Sequence, residues 1–136
     1  MTTIIQNENV NIGSIHCNVF ATERPEVLLI QPSARHETKN DGINREVKVL
    51  AATATKGFAI VFFDTVEWAK ALMPWQDEAV SRDEEVGRYA SNTLEYIIES
   101  LIPWLHERFG KLPCIIGGYS LGGLFALWAA RQSAAF

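Results

Sequence analysis

Three short apolar runs limit this chain to a small set of folds. Glu26–Ile30 and Phe58–Phe63 are nearly continuous apolar runs, and Leu112–Ile116 is a third. Runs without polar alternation are typical of strands that are covered on both faces, as in a parallel sheet between two layers of helices. Segments with helical spacing separate the runs. The resulting strand–helix–strand–helix–strand order predicts right-handed crossovers in an α/β fold.

The elements around these strands are a hairpin and two helices, predicted over Thr3–Ala21, Asp41–Thr55 and Glu84–Phe109. Gly57 and Gly110 follow the two helices and are expected to end them. Pro103 lacks an N–H, so it should kink the second helix or split it after Ser100. We therefore predict one domain over residues 1–136, a three-layer α-β-α sandwich with a mostly parallel sheet.

Composition excludes several classes of partner. The chain has 136 residues and a formal net charge of −4, with no Lys/Arg cluster, which argues against nucleic acid and against a membrane surface. Its first residues lack the pattern of a signal peptide. Cys17 and Cys114 have no metal-ligand spacing and are interpreted as packing residues. We expect a cytoplasmic protein with no metal and no cofactor.

The segment Gly117–Gly123 contains a G-x-S-x-G pattern centred on Ser120. An apolar strand precedes it and a helix of small and apolar residues follows, the context in which such a serine becomes a nucleophile. Gly118 and Gly122 lack a Cβ, so the chain can turn sharply there. The N–H of Leu121, at the start of the helix, is a candidate donor to an oxyanion. No phosphate-binding glycine pattern fits this segment.

The segment from Gly117 to Leu127 resembles the nucleophile segment of the α/β hydrolases, in the putative-esterase branch that includes esterase D and the enterochelin esterases. Leu101–Trp104 resembles a helix of that branch, and Leu72–Trp75 is similar to a rim segment. The resemblance extends from Val27 to Arg131. It implies a carboxylesterase-type serine hydrolase that forms an acyl-enzyme on Ser120 and acts on a small ester.

The chain departs from that family in three places. Tyr119 stands where the family commonly has a histidine. Gln31–Ser33 replaces the H-G-G-G segment, so the second oxyanion donor is expected to be the N–H of Ser33, with Ala34 next in line. In the family the acidic and histidine partners follow the nucleophile, whereas this sequence ends at Phe136. We therefore expect an incomplete domain, truncated after the nucleophile helix.

Only three histidines are available upstream to act as the base. His106 is interpreted as a solvated residue at a helix end, and His16 as an outward-facing surface residue on the hairpin, away from the strand ends. His36 follows the first apolar strand at the same edge of the sheet as Ser120, and is the one possible base. Asp64 ends the second apolar strand at that edge and is interpreted as a turn-forming residue.

Several functions fit these residues. The chain is predicted to be a serine ester hydrolase or the nucleophile-bearing fragment of one, and to hydrolyse simple esters poorly by itself. The alternatives are an inactive binding module with the same fold, and a thioesterase or peptidase. Trp68, Trp75 and Tyr119 either line an acyl pocket or pack internally. The nucleophile strand is expected at the sheet edge, where a second copy would pair with it and form a homo-oligomer.

Overall fold

The computed structural model describes residues 3–33, 41–64, 90–118 and 121–136. In this part of the chain the elements, in order, are β1 (Ile4–Ile12), β2 (Ile15–Thr22), β3 (Val27–Ser33), α1 (Asp41–Thr53), β4 (Phe58–Asp64), α2 (residues 90–109), β5 (Cys114–Ile116) and α3 (Leu121–Gln132). No helix in these ranges combines the length and the apolar character needed to cross a membrane.

The five described strands form one mixed sheet in the order β1-β2-β4-β3-β5. β3 lies between β4 and β5 and is parallel to both, so the predicted parallel trio is confirmed. The predicted mostly parallel sheet is wrong, because β1–β2 and β2–β4 are antiparallel. The hairpin joins the sheet: β2 pairs with β4, with Val19 opposite Val61.

Helices cover both faces of this sheet. On one face α1 packs through Val47 and Ala51 against β4. The β4 residues in that cluster are Phe58, Ile60 and Phe62. On the other face α2 and α3 pack on a larger cluster whose members include Ile97, Leu101, Phe125, Ala129, Leu28, Ile30 and Val61. The predicted layering of helix, sheet and helix is therefore present in the described residues.

The hairpin and α1 follow the sequence prediction closely, with one change in the role of a glycine. Gly13 forms the hairpin turn with φ 63°. α1 ends at Thr53, slightly before the predicted end. Gly57 is required by a close approach, because a Cβ there would overlap the carbonyl oxygen of Arg24. Its packing against the β2–β3 connection, beyond the end of the helix, explains why this position is glycine.

α2 continues through Pro103, and a change of helix type marks the place where the proline predicted a kink or a split after Ser100. Ile97–Leu101 forms a π-helical turn, and the N–H of Ile102 bonds the carbonyl of Ile97. A wider turn of this kind accommodates a proline that cannot continue the ordinary ladder of hydrogen bonds. The helix ends at Gly110, as predicted, with φ 95°.

Candidate active site at the carboxyl edge of the sheet

The connections after β3 and β5 leave the sheet in opposite directions. The chain runs from β3 to α1 on one face, and from β5 to α3 on the other. Because β3 and β5 are neighbours, a crevice is expected outside their carboxyl ends, where ligands of open α/β sheets bind. The G-x-S-x-G segment directly follows β5 in the sequence, so the switch point is where the candidate nucleophile is expected.

Pro32 marks where β3 and β5 stop pairing. Leu28 N–H bonds the carbonyl of Pro113 at 2.9 Å, and Gly117 N–H bonds that of Ile30 at 3.0 Å. In this register the next bond would run from the N–H of residue 32 to the carbonyl of Gly117. Proline has no N–H to donate, so the ladder ends and the strands are free to separate. The sequence alone does not reveal this role, because it depends on the pairing register.

The turn after β5 is closely packed at one glycine. A Cβ added to Gly123, in the first turn of α3, would lie 3.2 Å from the carbonyl oxygen of Gly118. This tight approach brings the start of the helix against the end of the strand segment. Tyr119 and Ser120, which connect them, lie outside the described residues. The backbone strain predicted for Ser120 therefore stays a prediction.

The two candidate oxyanion donors lie at the start of α3 and at the carboxyl end of β3. Leu121 is the first residue of α3, where helix N–H groups have no partner within the helix. Ser33 is the last residue of β3 and stands opposite Asp64 of β4. Leu28 and Ile30 direct their hydrogen bonds towards β5, so alternation along a regular strand turns the N–H of Ser33 towards β4. Because the N–H of Ser33 is directed away from β5, the N–H of the next residue, Ala34, is favoured as the donor. Both assignments stay predictions.

His16 lies far from the crevice, and its predicted outward position away from the strand ends is wrong. Its neighbour Cys17 pairs with Phe63, so His16 stands level with Asp64 at the carboxyl end of β4. The side chain is half-buried, and its Nε2 is buried without a hydrogen-bond partner among the described residues. β2 and β5 are three strand spacings apart, about 14 Å. A histidine at that distance cannot bond a residue that follows β5.

His106 is also remote, at the opposite end of β5. It is half-buried, and its Nε2 lies 3.9 Å from the Sγ of Cys114, so the prediction of a fully solvated side chain is wrong. Burial raises the pKa of the Cys114 thiol. The strand from Cys114 to Gly118 covers about 13 Å, which separates this pair from the candidate nucleophile. Cys17 and Cys114 are both buried, in agreement with their interpretation as packing residues.

The remaining candidate residues lie outside the described ranges, or their side chains do. The first group comprises the possible base His36 and the pocket candidates Trp68, Trp75 and Tyr119. Asp64 is described only through its backbone. Within residues 3–33, 41–64, 90–118 and 121–136, no three His, Cys, Asp or Glu side chains group together as metal ligands.

A family model described as Putative esterase matches residues 21–135, which is most of the chain. The matched region contains the three parallel strands, the hairpin's last residues and the whole G-x-S-x-G segment. A search of curated proteins finds no match in sequence.

Solved structures share the fold at low sequence identity. A cold-adapted esterase from an Arctic intertidal metagenomic library, in its PEG-bound complex, has a TM-score of 0.60 at 9% identity, covering 96% of this chain and 56% of its own. Its zinc-bound structure gives 0.57 at 9%, covering 96% and 54%. Est1E from Butyrivibrio proteoclasticus gives 0.52 at 14%, covering 93% and 45%. The chain thus spans about half the length of these proteins.

Proposed function

The chain belongs to the Putative esterase family, and from this premise we propose that it is a serine ester hydrolase, or the nucleophile-bearing part of one. Ser120 is the proposed nucleophile, and the proposed substrate is a small carboxylic ester. The observation that carries the proposal is that β3 and β5 are parallel neighbours and that the G-x-S-x-G segment directly follows β5, the arrangement at which ligands of open α/β sheets bind.

In the proposed reaction the Ser120 oxygen attacks the ester carbonyl while a base takes its proton. The developing oxyanion accepts hydrogen bonds from the N–H of Leu121 and from the N–H of Ser33 or Ala34. The alcohol leaves with a proton, and water then hydrolyses the acyl-enzyme to release the acid and regenerate Ser120. The end of the β3–β5 hydrogen-bond ladder at Pro32 supports this arrangement, because strands that no longer pair can leave room for the carbonyl oxygen between the two donors.

The identity of the base limits the rate that we expect. His16 lies three strand spacings from β5, about 14 Å, and His106 lies beside Cys114, about 13 Å along the strand from Gly118, so His36 is the histidine that we propose as the base. If no base is in place, only the residual acceleration from the oxyanion donors and binding survives, about 10³–10⁴ over water. We therefore propose that the chain alone turns over simple esters slowly.

A binding module with the same fold is the second candidate function. The observation that favours it is the distance of both described histidines from the crevice. Such a protein would bind an ester or acid outside the carboxyl ends of β3 and β5 without forming a covalent bond. The two functions differ in whether Ser120 reacts.

The deciding experiment uses a fluorophosphonate probe and p-nitrophenyl acetate with the purified chain. A reactive serine should be labelled, and peptide mass spectrometry should find the label on Ser120. Turnover should fall to the buffer rate in Ser120→Ala, and His36→Ala should lower it if His36 is the base.

His106→Ala and His16→Ala are the matched controls, since both residues lie away from the crevice, and they should leave labelling unchanged. Labelling at another serine would refute the assignment of Ser120. A folded chain that binds an ester but is never labelled would favour the binding module.

A further inference from the structure

The carbonyl group of Gly117 has no hydrogen-bond donor among the described residues. The N–H of Gly117 bonds the carbonyl of Ile30, and in a parallel ladder the N–H and C=O groups of one residue face the same neighbouring strand. The Gly117 carbonyl therefore faces β3, where its donor would be the N–H of residue 32. That residue is Pro32, which has no N–H. The missing donor is a property of β3 and does not depend on what lies on the other side of β5.

The carbonyl is unusual because the rest of this ladder is regular. Leu28 to Ile30 pair with Cys114 to Ile116 without a shift of register. Pro32 is buried and Gly117 is half-buried, so the acceptor lies between the two strands and not on the open surface. A carbonyl in such a place costs free energy without a donor, and native proteins supply one from a side chain, water or a ligand.

Resting on the proposed ester hydrolysis at Ser120, we propose that the Gly117 carbonyl accepts a hydrogen bond from a hydroxyl group in the acyl part of the substrate. The acceptor lies at the carboxyl ends of β3 and β5, where ligands of open α/β sheets bind. A carbonyl accepts and never donates, so it selects a donor. A hydroxyl suits it better than an ammonium group, because one neutral carbonyl does not offset the desolvation of a charge.

The spacing along β3 limits where the hydroxyl stands in the acyl group. Ala34, the favoured oxyanion donor, is two residues beyond Pro32, and two residues of chain span at most about 7 Å. Hydrogen bonds of about 3 Å at each end take up most of that length. The ester carbonyl oxygen and the hydroxyl oxygen must then lie within a few ångströms of each other. A hydroxyl on the carbon next to the ester carbonyl meets this condition, so the substrate class is esters of 2-hydroxy acids.

Three methyl esters of equal size test this preference. Those of lactic acid, propionic acid and alanine carry a hydroxyl, a hydrogen and an ammonium group on the carbon next to the carbonyl. After correction for their rates with hydroxide, kcat/KM should be about tenfold higher for methyl lactate than for methyl propionate, the effect of one hydrogen bond. Equal corrected values would overturn the proposal, and so would a preference for the alanine ester over the lactate ester.

Two proline variants test whether the preference comes from the Gly117 carbonyl. Pro32→Ala supplies the missing N–H, which should bond that carbonyl and abolish the preference for methyl lactate. Pro113→Ala is the matched control, because it removes a proline from the same ladder about 13 Å along the strand from Gly117. It should leave the preference unchanged. A preference that survives Pro32→Ala, or that disappears in Pro113→Ala, would contradict the assignment.

Nuclear magnetic resonance measures the contact without any turnover. In the ¹³C-labelled chain, lactate should shift the carbonyl resonance of Gly117 and propionate should not, and in Pro32→Ala neither should. If no ester is hydrolysed but lactate shifts this resonance, the hydrolase proposal fails and the acceptor site stands. If esters are hydrolysed but lactate leaves the resonance unshifted, only water occupies the acceptor, so this proposal fails and the hydrolase proposal stands.

Discussion

The two ends of the sheet are built differently. At the hairpin end, Cys17 and Val19 are fully buried in β2, and the Tyr96 hydroxyl of α2 donates a 2.8 Å hydrogen bond to the carbonyl of Ile12. An ion pair of 2.8 Å between Arg108 and Glu8 also joins α2 to β1. At the other end β5 has three residues, and its middle residue is half-exposed.

This difference separates the parts of the fold that hold it together from the part that carries the candidate chemistry. The hairpin end is fixed by buried contacts from both faces and a helix, and no candidate catalytic residue depends on it. At the β5 end the hydrogen-bond ladder between β3 and β5 stops at Pro32, and the G-x-S-x-G segment follows β5 directly. Substitutions at the hairpin end should therefore lower stability, whereas equivalent ones near β5 should have little effect on it.

A pair of glycine substitutions gives the largest expected contrast. Gly57→Ala should destabilise the fold by about 3 kcal/mol or more, because the new Cβ overlaps the Arg24 carbonyl, which is backbone and cannot rotate away. Gly117→Ala meets no atom within 4 Å and has no positive φ, so it should be neutral or stabilising by up to about 1 kcal/mol. Urea unfolding followed by circular dichroism measures both. Equal losses in the two variants would contradict the comparison.

A pair of threonine substitutions should give the next largest contrast. The Thr22 hydroxyl accepts from Phe58 N–H at 2.9 Å and donates to the Phe58 carbonyl at 3.2 Å, both in buried surroundings. Thr22→Val leaves both backbone groups without that partner and should cost about 2–3 kcal/mol. Thr53→Val removes an exposed hydroxyl that bonds Val49 within α1, and should change stability by less than about 0.5 kcal/mol. A loss on Thr53→Val as large as on Thr22→Val would mean that burial is not the cause.

Local patterns predicted the three parallel strands and missed how the hairpin pairs with them. β3, β4 and β5 were predictable because burial on both faces requires continuous apolar runs. The antiparallel pairing of β2 with β4 was not, since the hairpin's own sequence does not encode its outer partner. Gly57 was predicted to end a helix and Pro103 to interrupt one. What they do in the structure depends on the Arg24 carbonyl beside Gly57 and on the wider turn at Ile97–Leu101 before Pro103.

The candidate site shows the same division. The turn containing Ser120 is a local signal, and its place after β5 could be predicted. That Pro32 ends the β3–β5 ladder could not be predicted, because it depends on the register between two strands that are far apart in the sequence. His16 and His106 were misjudged because their burial comes from neighbours on other elements, such as Cys114 of β5 beside His106 of α2.

The smallest expected effect is a dependence of stability on pH. One titrating group at each end of the sheet lowers the free energy of unfolding, and the two groups begin to do so at different pH values. Burial, and then the hydrogen bond with Cys17, raise the pKa of Tyr96 well above its ordinary value of 10.0. At the β5 end, burial raises the pKa of Cys114 above 9.0. Both groups are neutral when protonated, so the folded chain holds these two protons at a pH where the unfolded chain releases them.

Stability should therefore be constant with respect to these groups below about pH 9, and should fall as pH rises above it. Cys114 contributes first, and Tyr96 adds to the slope above pH 10.0, each by up to about 1.4 kcal/mol per pH unit. Cys114→Ala should flatten the curve between pH 9 and 10, and Tyr96→Phe should flatten it only above pH 10. Urea midpoints from pH 7 to 11 measure this. If Tyr96→Phe kept the wild-type slope above pH 10, the hydroxyl would be titrating freely in the folded chain, and the closed packing of the hairpin end would have to be abandoned.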